Sequence, residues 1–127
     1  EVMADLTYSL KGVVNGGTGS AALALGRPAA GKTGTSQQNA SAWFSAYVPQ
    51  LAASVALFRD SASESLNGIG GLTSVTGGTF PARIWTAFMK GALKGEPVMD
   101  FPAPSNIGGL DPIEMTTGGV QIMKKKG

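Results

Sequence analysis

The chain has 127 residues, room for one modest domain or a piece of a larger one, and its 28 Leu, Ile, Val and Phe residues suffice for a small core. Cys and His are both absent, which excludes disulfides, Cys/His zinc sites, a Cys nucleophile and any Ser-His-Asp triad. The net charge of +2 is concentrated in Lys124, Lys125 and Lys126, so residues 1–123 carry a formal −1, a distribution unlike the spread cationic face of a nucleic-acid binder.

In chain order, Met3, Leu6, Leu10, Val13 and Val14 recur at helical spacing, which predicts a helix over 2–14 with one apolar stripe. Gly16-Gly17-Thr18-Gly19 stops it. Residues 20–25 are small and apolar, compatible with either a last helical turn or the start of a strand. Residues 28–36 read as a strand, with two β-branched Thr flanking a Gly. After the polar turn Ser36-Gln37-Gln38-Asn39 come two apolar runs, Ala42 to Val48 and Leu51 to Phe58, which read as antiparallel hairpin strands. Their apolar residues fall on both faces, which predicts cover on both sides of the sheet.

Residues 60–78 form a Ser/Gly-rich loop. A helix is expected from Thr79 as N-cap, with Pro81 in the first turn and Gly95 at the end. Its expected buried stripe is Ile84, Trp85, Phe88, Met89 and Ala92, with Arg83, Lys90 and Lys94 opposite. Trp43, Tyr47 and Trp85 are expected in the core. Pro97, Pro102, Pro104 and Pro112 make the rest extended or disordered, and residues 105–127 are expected to be an extended, disordered tail. Three strands with only two helices make an incomplete core with an unpaired edge. The chain starts on Glu1 without a basic, apolar leader and has no run long enough to cross a membrane. It therefore reads as a fragment or processed product.

Two motifs share the same residues. Gly26 to Thr33 matches the phosphate-loop pattern G-x-x-x-x-G-K-[ST], and Val55 to Asp60 mimics the magnesium-holding strand of an NTPase. That loop must open a helix whose amides hold the phosphates, and Gly34, Thr35, Ser36 and Asn39 are poor helix formers. The competing reading takes Lys32-Thr33-Gly34-Thr35 as a strand. Alternation places the Thr33 and Thr35 hydroxyls on one side and Lys32 and Gly34 on the other. Gly34 lets a ligand backbone approach, the Thr35 amide can face an oxyanion, and a chain without histidine suits serine–lysine acyl transfer.

Arg27 to Thr35 followed by Ala42 to Pro49, the upstream Gly17-Thr18-Gly19, and Gly77-Gly78-Thr79-Phe80-Pro81-Ala82-Arg83-Ile84-Trp85 together resemble the C-terminal part of the penicillin-binding protein transpeptidase domain, in its class A, bifunctional branch. The resemblance covers residues 2–104. It implies an α+β fold with an antiparallel sheet, three strands of it in this chain, flanked by helices. The implied activity is peptidoglycan cross-linking by serine acyl transfer, on the outer side of a membrane to which the full protein is anchored, with no cofactor. Lys32 would turn towards the serine of a Ser-x-Asn motif and assist proton transfer. Thr33 and Thr35 would bind the terminal carboxylate of a D-Ala-D-Ala stem peptide or of a β-lactam, which lies along the strand past Gly34. The Thr35 N–H would form half of the oxyanion hole.

The family's nucleophile sits in Ser-x-x-Lys. The residues three before each Lys are Tyr8, Ala29, Ala87, Gly91, Gln121, Ile122 and Met123, none of them Ser. Ser65-Leu66-Asn67 matches Ser-x-Asn only as a string, since it follows the Lys-Thr-Gly strand instead of preceding it. The N-terminal remainder of the domain is thus the expected partner, and this chain alone is expected to be inactive. Ser41 stands where the family often has Asp, which bears on local strand–turn contacts. A degenerate transpeptidase-like module that only binds partners is a further alternative to the NTPase.

Overall fold

The computed structural model describes residues 1–105, so nearly all of the tail predicted from 105 onward lies outside the described residues. Helix α1 spans Val2–Asn15. A 3-10 turn over Ser20–Leu25 settles the open reading of that segment in favour of helix. Strands β1 (Ala30–Thr35), β2 (Ser41–Val48) and β3 (Leu51–Phe58) form one sheet in the order β1-β2-β3, antiparallel throughout. Helix α2 (Phe80–Ala92) closes the regular structure. The α+β arrangement expected from the sequence is therefore present, with strand ends within two residues of the reading.

Between β1 and β2, Gln38 and Asn39 take positive φ of 57° and 54°, a left-handed step that polar side chains tolerate in tight turns. Ser41 ties this turn together: its N–H donates to Ser36 Oγ at 2.7 Å, and its own Oγ accepts from the Trp43 indole N–H at 3.1 Å. A serine hydroxyl thus supplies the local contact at the position where the sequence departs from the expected Asp.

The main core lies on one side of the sheet. Phe44, Ala46 and Val48 point into it from β2, and Ala82, Trp85 and Met89 from α2, joined by Leu93 just past its end, with Val14, Ala22 and Leu25 completing it. Trp85 is fully buried, meets Phe44 edge-to-face at 5.4 Å, and its indole N–H is shared between Ala46 O and Ala53 O, both at 3.1 Å. A buried Trp needs such a partner for its N–H. A smaller cluster of Ala42, Leu66 and Val75 sits beneath the long loop.

Several expected faces are corrected. In α2, Ile84 and Phe88 are 44% and 54% exposed and Ala92 is exposed too, while Ala82, Trp85, Thr86 and Met89 are buried. The true stripe runs i, i+3, i+4, i+7 from Ala82, one step round from the expected one. Thr79 does not cap α2 through its side chain; its hydroxyl donates instead to Thr76 O at 2.7 Å and accepts from Thr76 N–H at 3.1 Å. In α1 only Thr7 and Val14 are buried, and Met3 and Leu6 face outward. Trp43 is 46% exposed, not a core residue. The pleat explains this: β2 alternates, with Ala42, Phe44, Ala46 and Val48 buried and Trp43 and Ser45 on the opposite, open face. Cover on that face is partial among the described residues, reaching Tyr47, whose hydroxyl bonds Thr7 Oγ1 of α1 at 2.8 Å.

The extended segment after α2 is anchored to the domain. Arg27 donates to Leu93 O at 3.1 Å, Glu96 O at 3.0 Å and Pro97 O at 3.1 Å, satisfying carbonyls beyond the helix end. Phe101 packs edge-to-face on Tyr47, and Asp100 pairs with Lys11 at 3.1 Å.

Candidate active site

Lys32, Thr33, Gly34 and Thr35 all lie on β1, the border strand, and no strand flanks its outer side among the described residues. Ser36 N–H donates to Ser41 O at 3.0 Å. In an antiparallel ladder, hydrogen-bonded and non-bonded pairs alternate, so the Lys32–Ser45 and Gly34–Trp43 pairs share the parity of Ser36–Ser41. The backbone N–H and C=O groups of Thr33 and Thr35 therefore point away from β2, toward the open edge. A peptide laid antiparallel there meets a ready row of donors and acceptors.

The Lys32 ammonium donates to the outward carbonyl of Thr33 at 2.9 Å. Its side chain is exposed and belongs to neither of the two ion pairs found among the described residues, Lys11–Asp100 and Arg59–Glu64. Among the described residues no ion pair offsets its positive charge at the edge. Beside it lies a shallow groove of about 390 Å³, lined by Leu10, Lys32, Ser45, Tyr47, Ala52 and Ser54.

The two threonine hydroxyls occupy the other face of the strand, and each has a partner behind it. Thr33 Oγ1 lies 2.6 Å from Thr18 Oγ1. Thr35 Oγ1 accepts from the N–H of Gly77 at 3.2 Å. Gly77 reaches this position only because it has no side chain: a Cβ there would overlap Trp43 O and stand 2.9 and 3.0 Å from Gly34 O and N. Gly78 is likewise pressed against Thr18 O. Thr18 and Gly77 thus join the site although the sequence reading assigns neither a site role, taking them as a helix stop, a loop end and part of the family resemblance. The signal available was the pairing of glycines with threonine in both segments.

The nucleotide-binding alternative fails on this geometry. Lys32 and Thr33 are extended, paired with Ser45 and Phe44, where a phosphate loop needs them to open a helix. Asp60 sits exposed beyond the end of β3. Ser65-Leu66-Asn67 is a structural element: Leu66 is buried, and Asn67 Oδ1 accepts from Asn39 Nδ2 at 2.7 Å and from Val75 N–H at 3.2 Å. Among the described residues no group of three or more carboxylates is placed to hold a metal ion, and no helix is long and apolar enough to cross a membrane.

Comparison with known proteins identifies the family. The penicillin binding protein transpeptidase domain family matches residues 1–66. Penicillin-binding protein 1A of Mycolicibacterium smegmatis is 40% identical over 92 residues, covering 68% of this chain and 12% of that protein. Penicillin-binding protein 1A of Rickettsia typhi is 34% identical over 103 residues, covering 81% of this chain and 12% of that protein. The chain therefore spans about an eighth of the length of these relatives. Among solved structures, penicillin-binding protein PonA1 from Mycobacterium tuberculosis superposes with a TM-score of 0.77 at 30% identity, covering 98% of this chain and 34% of that one. PonA1 in complex with penicillin V gives 0.75 at 34% identity, covering 86% and 30%. With the family matched over more than half its length and the same sheet at its centre, the chain belongs to the penicillin-binding protein transpeptidase family.

Proposed function

We propose that this chain is the C-terminal segment of a serine D,D-transpeptidase of the class A penicillin-binding proteins and supplies one wall of its active site. The observation that carries the reading is the outer edge of β1, unpaired by any strand among the described residues, with the Thr35 N–H directed outward beside a Lys32 ammonium that joins no ion pair among them. The segment preceding this chain contributes the Ser-x-x-Lys nucleophile. A stem peptide ending in D-Ala-D-Ala lies antiparallel along β1, past Gly34, with its terminal carboxylate at the Thr33 and Thr35 hydroxyls. The serine attacks the penultimate D-Ala carbonyl, and the oxyanion is held by the Thr35 N–H and the serine's own N–H. Terminal D-Ala leaves with a proton relayed through the serine of Ser-x-Asn, which the Lys32 ammonium orients and polarises. An amine of a second stem peptide then takes the acyl group. A β-lactam occupies the same place, as the penicillin V complex of PonA1 suggests. The reaction takes place outside the cytoplasmic membrane, with the full protein anchored to it.

A fluorescent penicillin tests this. The isolated chain is expected to stay unlabelled, and the complete transpeptidase domain to label covalently. Lys32→Ala in that domain should slow acylation by about 10²-fold or more, the range of a positioned acid–base group. Labelling of the isolated chain, or an unaltered rate in Lys32→Ala, refutes the proposal.

A further inference from the structure

We infer that Thr18 is a positioning residue for the substrate carboxylate, acting through Thr33; the inference rests on the reading of β1 as the substrate-facing strand. The two hydroxyl oxygens are 2.6 Å apart, at the short end for an O–H···O bond, and only one proton fits between them. If Thr33 donates, it turns a lone pair outward. If Thr18 donates, the Thr33 proton is free to point away from the pair. A carboxylate only accepts, so its charge-assisted bond selects the second arrangement. The resulting chain runs from the Thr18 O–H to Thr33 Oγ1, and from the Thr33 O–H to the carboxylate, each bond polarising the next.

Thr35 is built the same way by a group that has no choice. The Gly77 N–H can only donate to Thr35 Oγ1, which leaves the Thr35 proton available for the ligand. Both hydroxyls are thus backed by donors on the same face of β1. Thr18 is also held firmly enough to serve. Gly19 donates to Val13 O at 2.9 Å and is buried where a Cβ would stand 2.8 Å from the Phe44 ring. A Cβ on Gly17 would lie 2.9 Å from Val13 Cα and O, and Gly78 packs on the Thr18 carbonyl. The Gly-Thr-Gly spacing therefore brings a single hydroxyl to Thr33 through backbone that lies too close for larger side chains.

The test uses the complete transpeptidase domain, acylated by benzylpenicillin and by its methyl ester, which lacks the charged carboxylate. Thr18→Val should lower the second-order acylation rate for the acid about tenfold, as expected for one hydrogen bond in a charge-assisted chain. The loss should appear in the dissociation constant, with the limiting acylation rate, the rate for the ester and the melting temperature unchanged. Thr18→Ser should restore the acid rate. A Thr18→Val domain that treats the acid like wild type, or slows acid and ester equally, or is not rescued by Ser, overturns the inference. Thr33→Val separates the two levels: it should lower the preference for acid over ester at least as much as Thr18→Val does, the Thr35 hydroxyl retaining the rest. If it leaves that preference unchanged, the carboxylate assignment at β1 itself fails.

Discussion

Replacing Gly77 by Ala isolates the contact between the loop before α2 and the border strand β1. The new methyl would stand 2.9 Å from Gly34 O and 3.0 Å from Gly34 N, and closer still to Trp43 O. All three are backbone atoms of paired strands, so none can swing aside as a flexible side chain would. Ordinary contact needs about 3.5 Å, so the loop must withdraw by at least ~0.5 Å, which breaks the 3.2 Å bond from Gly77 N–H to Thr35 Oγ1. Overpacking of this kind costs about 1–3 kcal/mol, and the lost hydrogen bond about 1 kcal/mol more. The stiffer unfolded chain returns about 0.4–1 kcal/mol, which leaves a net loss of about 1–3.5 kcal/mol. For a transpeptidase domain of a few hundred residues that lowers the melting temperature by roughly 2–4 °C per kcal/mol, read by calorimetry. Gly91→Ala is the matched control, because a Cβ there meets nothing within 4 Å on an exposed turn of α2; it should stabilise by about 1 kcal/mol on helix propensity. If Gly77→Ala melts at or above the wild-type temperature, the close-approach argument is wrong.

Arg27→Ala removes three bonds to the carbonyls of Leu93, Glu96 and Pro97; a loss of about 1.5–3 kcal/mol, the range for bonds to a charged group, should appear in the urea midpoint, with Arg27→Lys recovering only part because it lacks the planar fork. Trp85→Phe leaves the carbonyls of Ala46 and Ala53 without the indole N–H and should cost about 1–3 kcal/mol, measured in the same denaturation. Asp100 is held below the usual carboxylate range by its hydrogen bond from Lys11, then by that from the Phe101 N–H. A depressed folded pKa contributes stability above the unfolded value, lost as pH falls through the folded one. The melting difference between wild type and Asp100→Asn should thus be present near neutral pH, shrink in strong acid, and shrink also in high salt because the pair is exposed; a difference that persists at both extremes refutes the assignment.

The border strand was legible because its signal is local. Alternation alone assigns Lys32 and Gly34 to one face and Thr33 and Thr35 to the other, and the pairing of Thr33 with Phe44 and Thr35 with Ala42 agrees with it. The stripe of α2 was not legible to the same degree. Ile84, Trp85, Phe88 and Met89 are apolar on two adjoining sides of one helix, and only the sheet selects Trp85 and Met89. Trp43 misled for a related reason: its size argues for burial, yet the pleat that buries Phe44 turns Trp43 outward.

Thr18 and Gly77 were invisible as site residues for a different physical reason. A glycine before or after a helix reads as a stop, and nothing in the local pattern distinguishes a glycine that frees the backbone from one that lets two backbones touch. Here the second cause operates at both ends of the site. The loop that ends α1 and the loop that starts α2 meet at Gly78 against Thr18 O, and from that junction Thr18 reaches Thr33 while Gly77 reaches Thr35. Both strand hydroxyls are consequently hydrogen-bonded from behind by two helix-terminal loops, neither of which belongs to the Lys-Thr-Gly motif. A search for functional residues confined to that motif would miss the groups its hydroxyls are bonded to.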